Sequence, residues 1–406
     1  MSQKFLIIKT KYRKLVVLTS GIITVAMLTG APVLAASGYT WTPAAGGIAN
    51  ATYCYAEGSS STGQYLSCAN YGGDMFTSSD YGATWQDRTS TGSQYFYGTA
   101  VSGNGQYMTS VVDGGDIFTS SDYGVTWIDR TSAGNHGWGA VSISSTGQYQ
   151  AATDSSANVF ISSDYGATWT ASPLTSGASP YEVTTSTSGQ YMAVADNGGG
   201  GYVYTSNNYG ASWTQRTSIG PNVWYGITMS GNGQYIASTA GSDVAISNDY
   251  GATWTHTTPP GMSFGSDIAM SSTGEGLIVE DGSNGGSVYE SSNYGQNWAA
   301  DTNAPSSGWF ALAASSDLSR VIAEEDSGTV YLAYDPALYV APPANSSITS
   351  PISTTPVVTS VGVKAPDTGY GTANVNPIPF LLLSTLGVIY IAIYFGLGKS
   401  SKRDVI

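Results

Sequence analysis

One phrase, Ser-x-Asp-x-Gly-x-Thr-Trp, returns six times along this chain and so restricts it to a repeat architecture. It begins at Ser78, Ser120, Ser162, Ser206, Ser247 and Ser291. Its third positions, Asp80, Asp122, Asp164, Asn208, Asp249 and Asn293, stand 42, 42, 44, 41 and 44 residues apart. A period of that length belongs to solenoids, propellers and arrays. A second phrase, Gly-Gln-Tyr, recurs at Gly63, Gly105, Gly147, Gly189 and Gly233, then decays to Gly274-Glu275-Gly276 and Ser319-Arg320-Val321. The repeats therefore number seven, one more than the first phrase counts.

Between the phrases lie short runs of alternating β-branched or aromatic residues, such as 140–144, 149–153 and 159–162, separated by Gly, Asn and Ser. These are strand and turn signals, about four strands to a unit. No stretch before residue 370 carries a long helical period, which excludes the helical repeat families. The ends favour a closed ring. Gly38-Tyr39-Thr40-Trp41 is the tail of the recurring phrase without its head, and the last unit stops at Tyr334 without a tail. The expectation is an all-β, seven-bladed β-propeller of four-stranded blades over residues 37–341, its last blade completed by the strand around Trp41 so that no sheet edge stays open. Trp41, Trp85, Trp127, Trp169, Trp213, Trp254 and Trp298 would then fill the wedges between neighbouring sheets.

The first phrase resembles the Asp-box, or bacterial neuraminidase repeat, of sialidase-like β-propellers, sortilin-type receptors, xyloglucanase-type glycoside hydrolases and photosystem assembly propellers. The resemblance implies a propeller fold and little about chemistry, because these families share the box and not a reaction. It also implies that the box forms the hairpin between a blade's third and fourth strands. The residues suit that role: a side-chain oxygen at the third position accepts main-chain N–H groups and Gly admits positive φ. Asn208 and Asn293 keep the acceptor and discard the charge, as a turn tolerates and a calcium ligand or catalytic acid does not.

Residues 1–36 read as a secretory signal peptide: a basic start with Lys4, Lys9, Lys11, Arg13 and Lys14, an apolar core over 15–28, and small residues before cleavage near Ala35 or Ala36. A second apolar run, 378–397, is long enough to cross a bilayer, and Lys399, Lys402 and Arg403 after it place that tail in the cytoplasm and the propeller outside. Before the run stands Lys364-Ala365-Pro366-Asp367-Thr368-Gly369, which resembles the Leu-Pro-x-Thr-Gly sorting signal of Gram-positive surface proteins. That resemblance implies sortase cleavage between Thr368 and Gly369, though Ala365 stands where the family has Leu. Covalent attachment to the wall and a plain membrane anchor both remain open. Residues 342–363, rich in Pro, Ser, Thr and Val, make a stalk, and 364–406 hold the motif, the span and the basic tail.

The chain carries a formal net charge of −14, and between 37 and 363 its basic residues are Arg88, Arg130, Arg216 and Arg320. Nucleic acid is excluded as a partner, since it requires clustered Lys and Arg. Cys54 and Cys68 flank the turn of the first unit symmetrically, and an exported protein with two such cysteines is expected to join them in a disulfide.

No constellation of catalytic residues stands out. The sialidase resemblance implies an arginine triad, but Arg88, Arg130 and Arg216 are copies of one repeat position, three residues after a box Trp, and Arg320 alone cannot replace three. His136 and His256 lack zinc spacing, so no cofactor or metal is expected. Two periodic positions invite a ligand. Phe96, Trp138, Tyr181, Trp224, Phe264 and Trp309 precede the Gly-Gln-Tyr glycines by about nine residues, and Asp113, Asp154, Asp196, Asp281 and Asp326 follow them by about seven. Chain direction puts both sets at the face opposite the boxes, around the channel mouth, where aromatic platforms beside carboxylates suit sugars. Padding of inner strands and ordinary turn chemistry account for the same residues without a ligand. The units depart most from one another around 275–281 and 317–326, where Glu280 with Asp281, or Glu324-Glu325-Asp326, would serve a glycosidase. The function expected is a surface-anchored recognition or adhesion module for extracellular glycan or protein, with an Asp-box glycoside hydrolase and an envelope assembly scaffold as alternatives.

Overall fold

The computed structural model describes residues 15–19, 22–26, 38–45, 48 and 53–338. The sorting motif with Thr368 and Gly369, the stalk and the expected membrane span lie outside the described residues. Of the expected signal peptide, Leu15–Thr19 and Ile22–Ala26 form an antiparallel pair. Among the described residues no helix is long and apolar enough to cross a membrane.

The remaining described strands form seven antiparallel four-stranded units, six of them meanders of consecutive strands. Their first strands are Cys54–Ser59, Gln94–Val101, His136–Ile143, Pro180–Thr185, Ile227–Met229, Gly265–Met270 and Trp309–Ala314. Units 1 to 3 run together into one twelve-stranded sheet through short ladders such as Tyr71 opposite Tyr95 and Gly137 opposite Asp113, and the other four units are separate sheets. The fourth strand of unit 7 comes from the other end of the chain: Thr40–Pro43 pairs with Val330–Tyr334, Trp41 opposite Ala333.

Seven main-chain hydrogen bonds close the ring. The turn after each first strand donates to the next: Ser61 N to Gly103 O, Gly103 N to Ser145 O, Ser145 N to Thr187 O, Thr187 N to Gly231 O, Gly231 N to Ser272 O, Ser272 N to Ser316 O, and Ser316 N back to Ser61 O. Their lengths are 2.7 to 3.0 Å. The cycle ties each unit to the next at the turn between its first two strands.

Apolar side chains gather in seven clusters, each shared by two adjacent units and each containing one recurring Trp, for example Trp85 between units 7 and 1 and Trp254 between units 4 and 5. The two recurrent phrases meet within units 1 to 6, where the box Tyr N–H donates to the carbonyl of the Gln, or of Glu275 in unit 6, as in Tyr123 to Gln106 at 3.0 Å. They also meet between units. Tyr65 stacks on Tyr123, Tyr107 on Tyr165, Tyr149 on Tyr209, Tyr191 on Tyr250 and Tyr235 on Tyr294, with centroids 4.4 to 4.8 Å apart. This explains the glycine of the second phrase. A Cβ on Gly105 would stand 2.2 Å from the Tyr65 ring, and its φ of 81° also favours glycine.

The seventh copy of the second phrase is one residue earlier than the sequence suggested. Leu318 takes the glycine's positive φ of 61°, and Ser315 N–H donates to Arg320 O as Ser60 N–H does to Tyr65 O. Arg320 is therefore the counterpart of the tyrosine, and its guanidinium lies 4.0 Å above the Tyr81 ring, a cation–π contact across the seam.

Candidate functional site

The recurring acidic residues are consumed in their own turns. Asp122 Oδ1 accepts from Thr126 N–H and Ser120 O–H, both at 2.8 Å, while Oδ2 accepts from Thr126 O–H at 2.7 Å. Asp80, Asp164 and Asp249 repeat the pattern. Asn208 Oδ1 takes Ser212 N–H at 3.1 Å, and Asn293 Oδ1 takes Asn297 N–H at 2.9 Å, so the amide does the same work. Partial burial alone would raise Asp122, Asp164 and Asp249, but these hydrogen bonds outweigh it and hold the three carboxyls below the usual range. Among the described residues no group of three or more His, Cys, Asp or Glu is arranged to hold a metal ion.

At the opposite face the first strands carry a recurrent bulge that rearranges the expected rim. Register slips between Cys54 and Ala56, Phe96 and Gly98, Trp138 and Val141, Pro180 and Glu182, Gly265 and Ile268, and Trp309 and Ala311. One extra residue shifts which side chain meets the channel. Phe96, Trp138, Trp224 and Trp309 fall on the wedge side and are at most 1% exposed, so these four pack between units and do not ring the mouth. The residue after each takes the position expected of it, Tyr97, Gly139, Tyr225 and Phe310, with Tyr55 their equivalent in unit 1. Of the aromatics singled out from sequence, Tyr181 lines the channel cavity and Phe264 meets Tyr225 with centroids 4.9 Å apart.

The expected carboxylates brace the entering strands. Asp154, 1% exposed, accepts from Ser156 and Asn158 N–H and lies 3.1 Å from His136 Nδ1. Asp196 accepts from Ser179 and Gly198 N–H, and Asp281 from Ser263, Phe264 and Ser283 N–H. Asp113 and Asp326 are exposed at the corresponding turns. The arginines do not converge either. Arg88, Arg130 and Arg216 each donate Nε–H to a threonine of the neighbouring third strand, Thr77, Thr119 and Thr205. Cys54 and Cys68 are joined by a disulfide across the first two strands of unit 1, Cα atoms 5.3 Å apart.

What occupies the channel is a Tyr-rich rim over a set of carboxyl groups. Tyr55 lies against Tyr97 and Phe310, centroids 4.3 and 4.6 Å away, and the Tyr55 and Tyr97 hydroxyls are 3.0 Å apart. Tyr71 and Tyr95 extend the platform outward, 38% and 57% exposed. Beneath the rim a cavity of about 200 Å³ is lined by Glu57, Glu182 and Asp267. Glu182 Oε2 accepts Ile227 N–H and Asp267 Oδ2 accepts Leu312 N–H, both at 3.0 Å and both from the next unit. Glu324 Oε1 likewise takes Cys54 N–H at 3.0 Å, and Glu280 is fully buried beside this set. Burial first, then neighbouring carboxyls, drives Glu57 and Glu280 well above the usual range; burial first, then Asp267, does so for Glu182. Burial pushes Asp267 up to about 6 and Glu324 up to about 8 against the hydrogen bonds they accept.

Glu57, Glu182 and Asp267 were not foreseen from sequence. For Glu182 and Asp267 the signal was present as an exception to the repeat: they stand where other units have Ala56, Gly98, Ala140, Gly226 and Ala311.

Three solved structures share this architecture. YCF48 bound to D1 peptide is 14% identical, with TM-score 0.58 over 73% of this chain and 96% of that one. YCF48 from Cyanidioschyzon merolae is 15% identical, TM-score 0.58, over 74% of this chain and 100% of that one. The GH74 xyloglucanase from Xanthomonas campestris is 13% identical, TM-score 0.57, over 75% of this chain and 55% of that one. The fold is a β-propeller. No family model matches the chain, and no curated protein matches it in sequence. At these identities the likeness extends to the fold alone, so function must be argued from the mouth.

Proposed function

We propose that this chain is a seven-bladed propeller exported by its signal peptide, held at the cell surface through its C-terminal span and sorting-like motif, and used for recognition or adhesion. Its ligand is an extracellular protein or glycan, and the docking site is the aromatic mouth of the channel. One observation carries the reading. Repetition is close at the box turns and breaks down at the mouth, where Tyr55, Tyr97, Gly139, Tyr181, Tyr225, Ser266 and Phe310 occupy equivalent places. A position kept for architecture repeats, and a position adapted to one asymmetric ligand does not. Exposed tyrosine platforms suit binding because they bring a large contact area with few torsions to freeze.

A glycoside hydrolase is the second reading, favoured by the raised carboxyl groups at the channel, since a protonated carboxylic acid is what such an enzyme uses to protonate a leaving group. A sialidase does not fit: Arg88, Arg130 and Arg216 are spent on outer strands and Arg320 covers Tyr81 at the other face. An envelope scaffold is supported only by shared fold, one propeller of this shape having been captured with a peptide.

The test is a screen of the purified protein on glycan arrays and against extracellular protein extracts, with every hit assayed for released sugar. An intact hit lost in Tyr97→Ala and Phe310→Ala supports recognition at the mouth. A cleaved glycan replaces it with the hydrolase, and hits indifferent to both substitutions remove the mouth as the site.

A further inference from the structure

Among the described residues no arginine or lysine stands as counter-ion to the carboxyl groups under the rim. Arg88, Arg130 and Arg216 are bonded to threonines on outer strands, and Arg320 stacks on Tyr81 near the box turns. Glu57 is the telling residue. It is 7% exposed, it lines the cavity, and neither of its carboxyl oxygens has a hydrogen-bond partner. Glu280, wholly buried, is equally unpartnered. Buried polar groups are almost always satisfied, and an orphan aimed into a cavity marks either a missing partner or a functional demand. Glu182 accepts one main-chain N–H and Asp267 accepts two, from Leu312 and Ile268, and both line the same space.

We propose that this cavity receives a primary ammonium carried on a slim aliphatic stem, which in a protein partner is a lysine side chain. The inference rests on the mouth being a recognition site and narrows its ligand. An ammonium brings three donors and no acceptor, the complement of an acceptor-rich pocket. The volume of about 200 Å³ equals that of about six or seven waters in bulk, room for one side chain. Entry is between Tyr55, Tyr97, Tyr181 and Phe310, whose ring faces accommodate both a methylene stem and a passing cation.

Proton linkage follows from the same geometry. Five carboxyl groups face the cation or one another: Glu57, Glu182, Asp267, Glu280 and Glu324. Burial before all else keeps Tyr55 and Tyr181 further from ionisation than an ordinary tyrosine, so those two hydroxyls stay protonated across this range. Without a cation the carboxyls of the cavity hold protons near neutrality, and an arriving cation favours the ionised carboxylates and expels them. Affinity therefore tightens as pH rises from 5.5 to 8.

The experiment is calorimetric titration of the purified full chain with Nα-acetyl-lysine amide, Nα-acetyl-norleucine amide and glucosamine, at both pH values and in buffers of different ionisation enthalpy. Expected are binding of the lysine compound at least tenfold tighter than the other two, proton release on binding, and a tenfold or greater loss in Glu57→Gln. Asp267→Asn serves as a second reporter should Glu57→Gln fail to fold. Equal binding of norleucine, preference for glucosamine, no binding of the lysine compound, or affinity unchanged in both variants each overturns the proposal. Capture of a glycan or protein that is sensitive to Tyr97→Ala, without lysine binding, leaves the mouth standing and removes the ammonium alone. Indifference to Tyr97→Ala as well removes both.

Discussion

The two ends of the channel differ in how faithfully the seven units copy one another. At the box turns five Tyr–Tyr stacks and a closed cycle of main-chain hydrogen bonds recur with little change. At the mouth, equivalent places hold Tyr, Gly, Ser or Phe, and two units replace an alanine or glycine with Glu182 or Asp267. The box end is a joint repeated seven times with two adapted copies. The mouth is assembled once. A residue at the box end should thus matter for stability, and one at the mouth for recognition and for the pH response.

The wedge residues give the strongest test of that division. Trp138 and Trp309 sit close in sequence to the rim but pack between units. Trp138→Ala should cost about 3–5 kcal/mol of unfolding free energy, read from the denaturant midpoint. Tyr97→Ala, one bulge position further on in unit 2, should cost far less while removing binding. Comparable stability losses would show that the rim is core and would weaken the division.

Most of the fold was legible because its determinants are local. An Asx-type acceptor, a glycine at positive φ and a Trp at fixed spacing each act within one turn, so six turns could be read residue by residue, and the orphaned tail around Trp41 announced the closure. The bulge was not legible. It is a main-chain event without a residue signature, and it exchanges the roles of adjacent aromatics such as Trp309 and Phe310. The carboxyl cluster was half legible: Glu280 and Glu324 lay in the stretches that break the repeat, whereas Glu57 becomes notable only once its neighbours are assembled.

The carboxyls of the mouth should also give the protein an unusual pH profile. Their folded pKa values lie above the unfolded ones, with Asp267 at about 6 and Glu324 at about 8, so between roughly pH 4.5 and 8 the folded state binds more protons than the unfolded chain. Stability then falls as pH rises through that window, by up to about 1.4 kcal/mol per pH unit for each such group. Thermal melts from pH 5 to 8 should show it, and Glu324→Gln should flatten the slope. The box carboxylates act oppositely. Asp122, Asp164 and Asp249 have depressed pKa values, so what they contribute is present above about pH 4 and lost below it. A flat profile from pH 5 to 8 would contradict the burial of the mouth carboxyls.

At the box end the effects are smaller and graded by chemistry. Asp164→Ala removes the acceptor for Thr168 N–H and O–H and should cost about 0.5–2 kcal/mol, by analogy with loss of a helix N-cap. Asp164→Asn keeps the acceptor, as Asn208 and Asn293 do, and should cost less than half as much at neutral pH. If the two substitutions were equally damaging, the charge and not the acceptor would be the requirement, and the turn would need a cation to explain it.

The smallest effect is expected where the ring closes. Arg320 occupies the tyrosine's place in the seventh copy and covers Tyr81, the box tyrosine of unit 1, while Gly63 stands aside for its stem, its Cβ position lying 2.7 Å from Arg320 Cδ. If the box end is built from interchangeable joints, Arg320→Tyr converts this seam into the stack found at five other interfaces. A cation–π contact at a partly exposed site and an aromatic pair are each worth about 0.5–1.5 kcal/mol, so the exchange should change stability by less than about 1 kcal/mol. Arg320→Ala, which removes both the ring contact and the stem that covers Gly63, should cost more than Arg320→Tyr in the same denaturant series. The order is the informative result. Were Arg320→Tyr the worse of the two, the seam would be a specialised joint shaped around arginine, and the equivalence of the seven interfaces would stop at the seam between the last unit and the first.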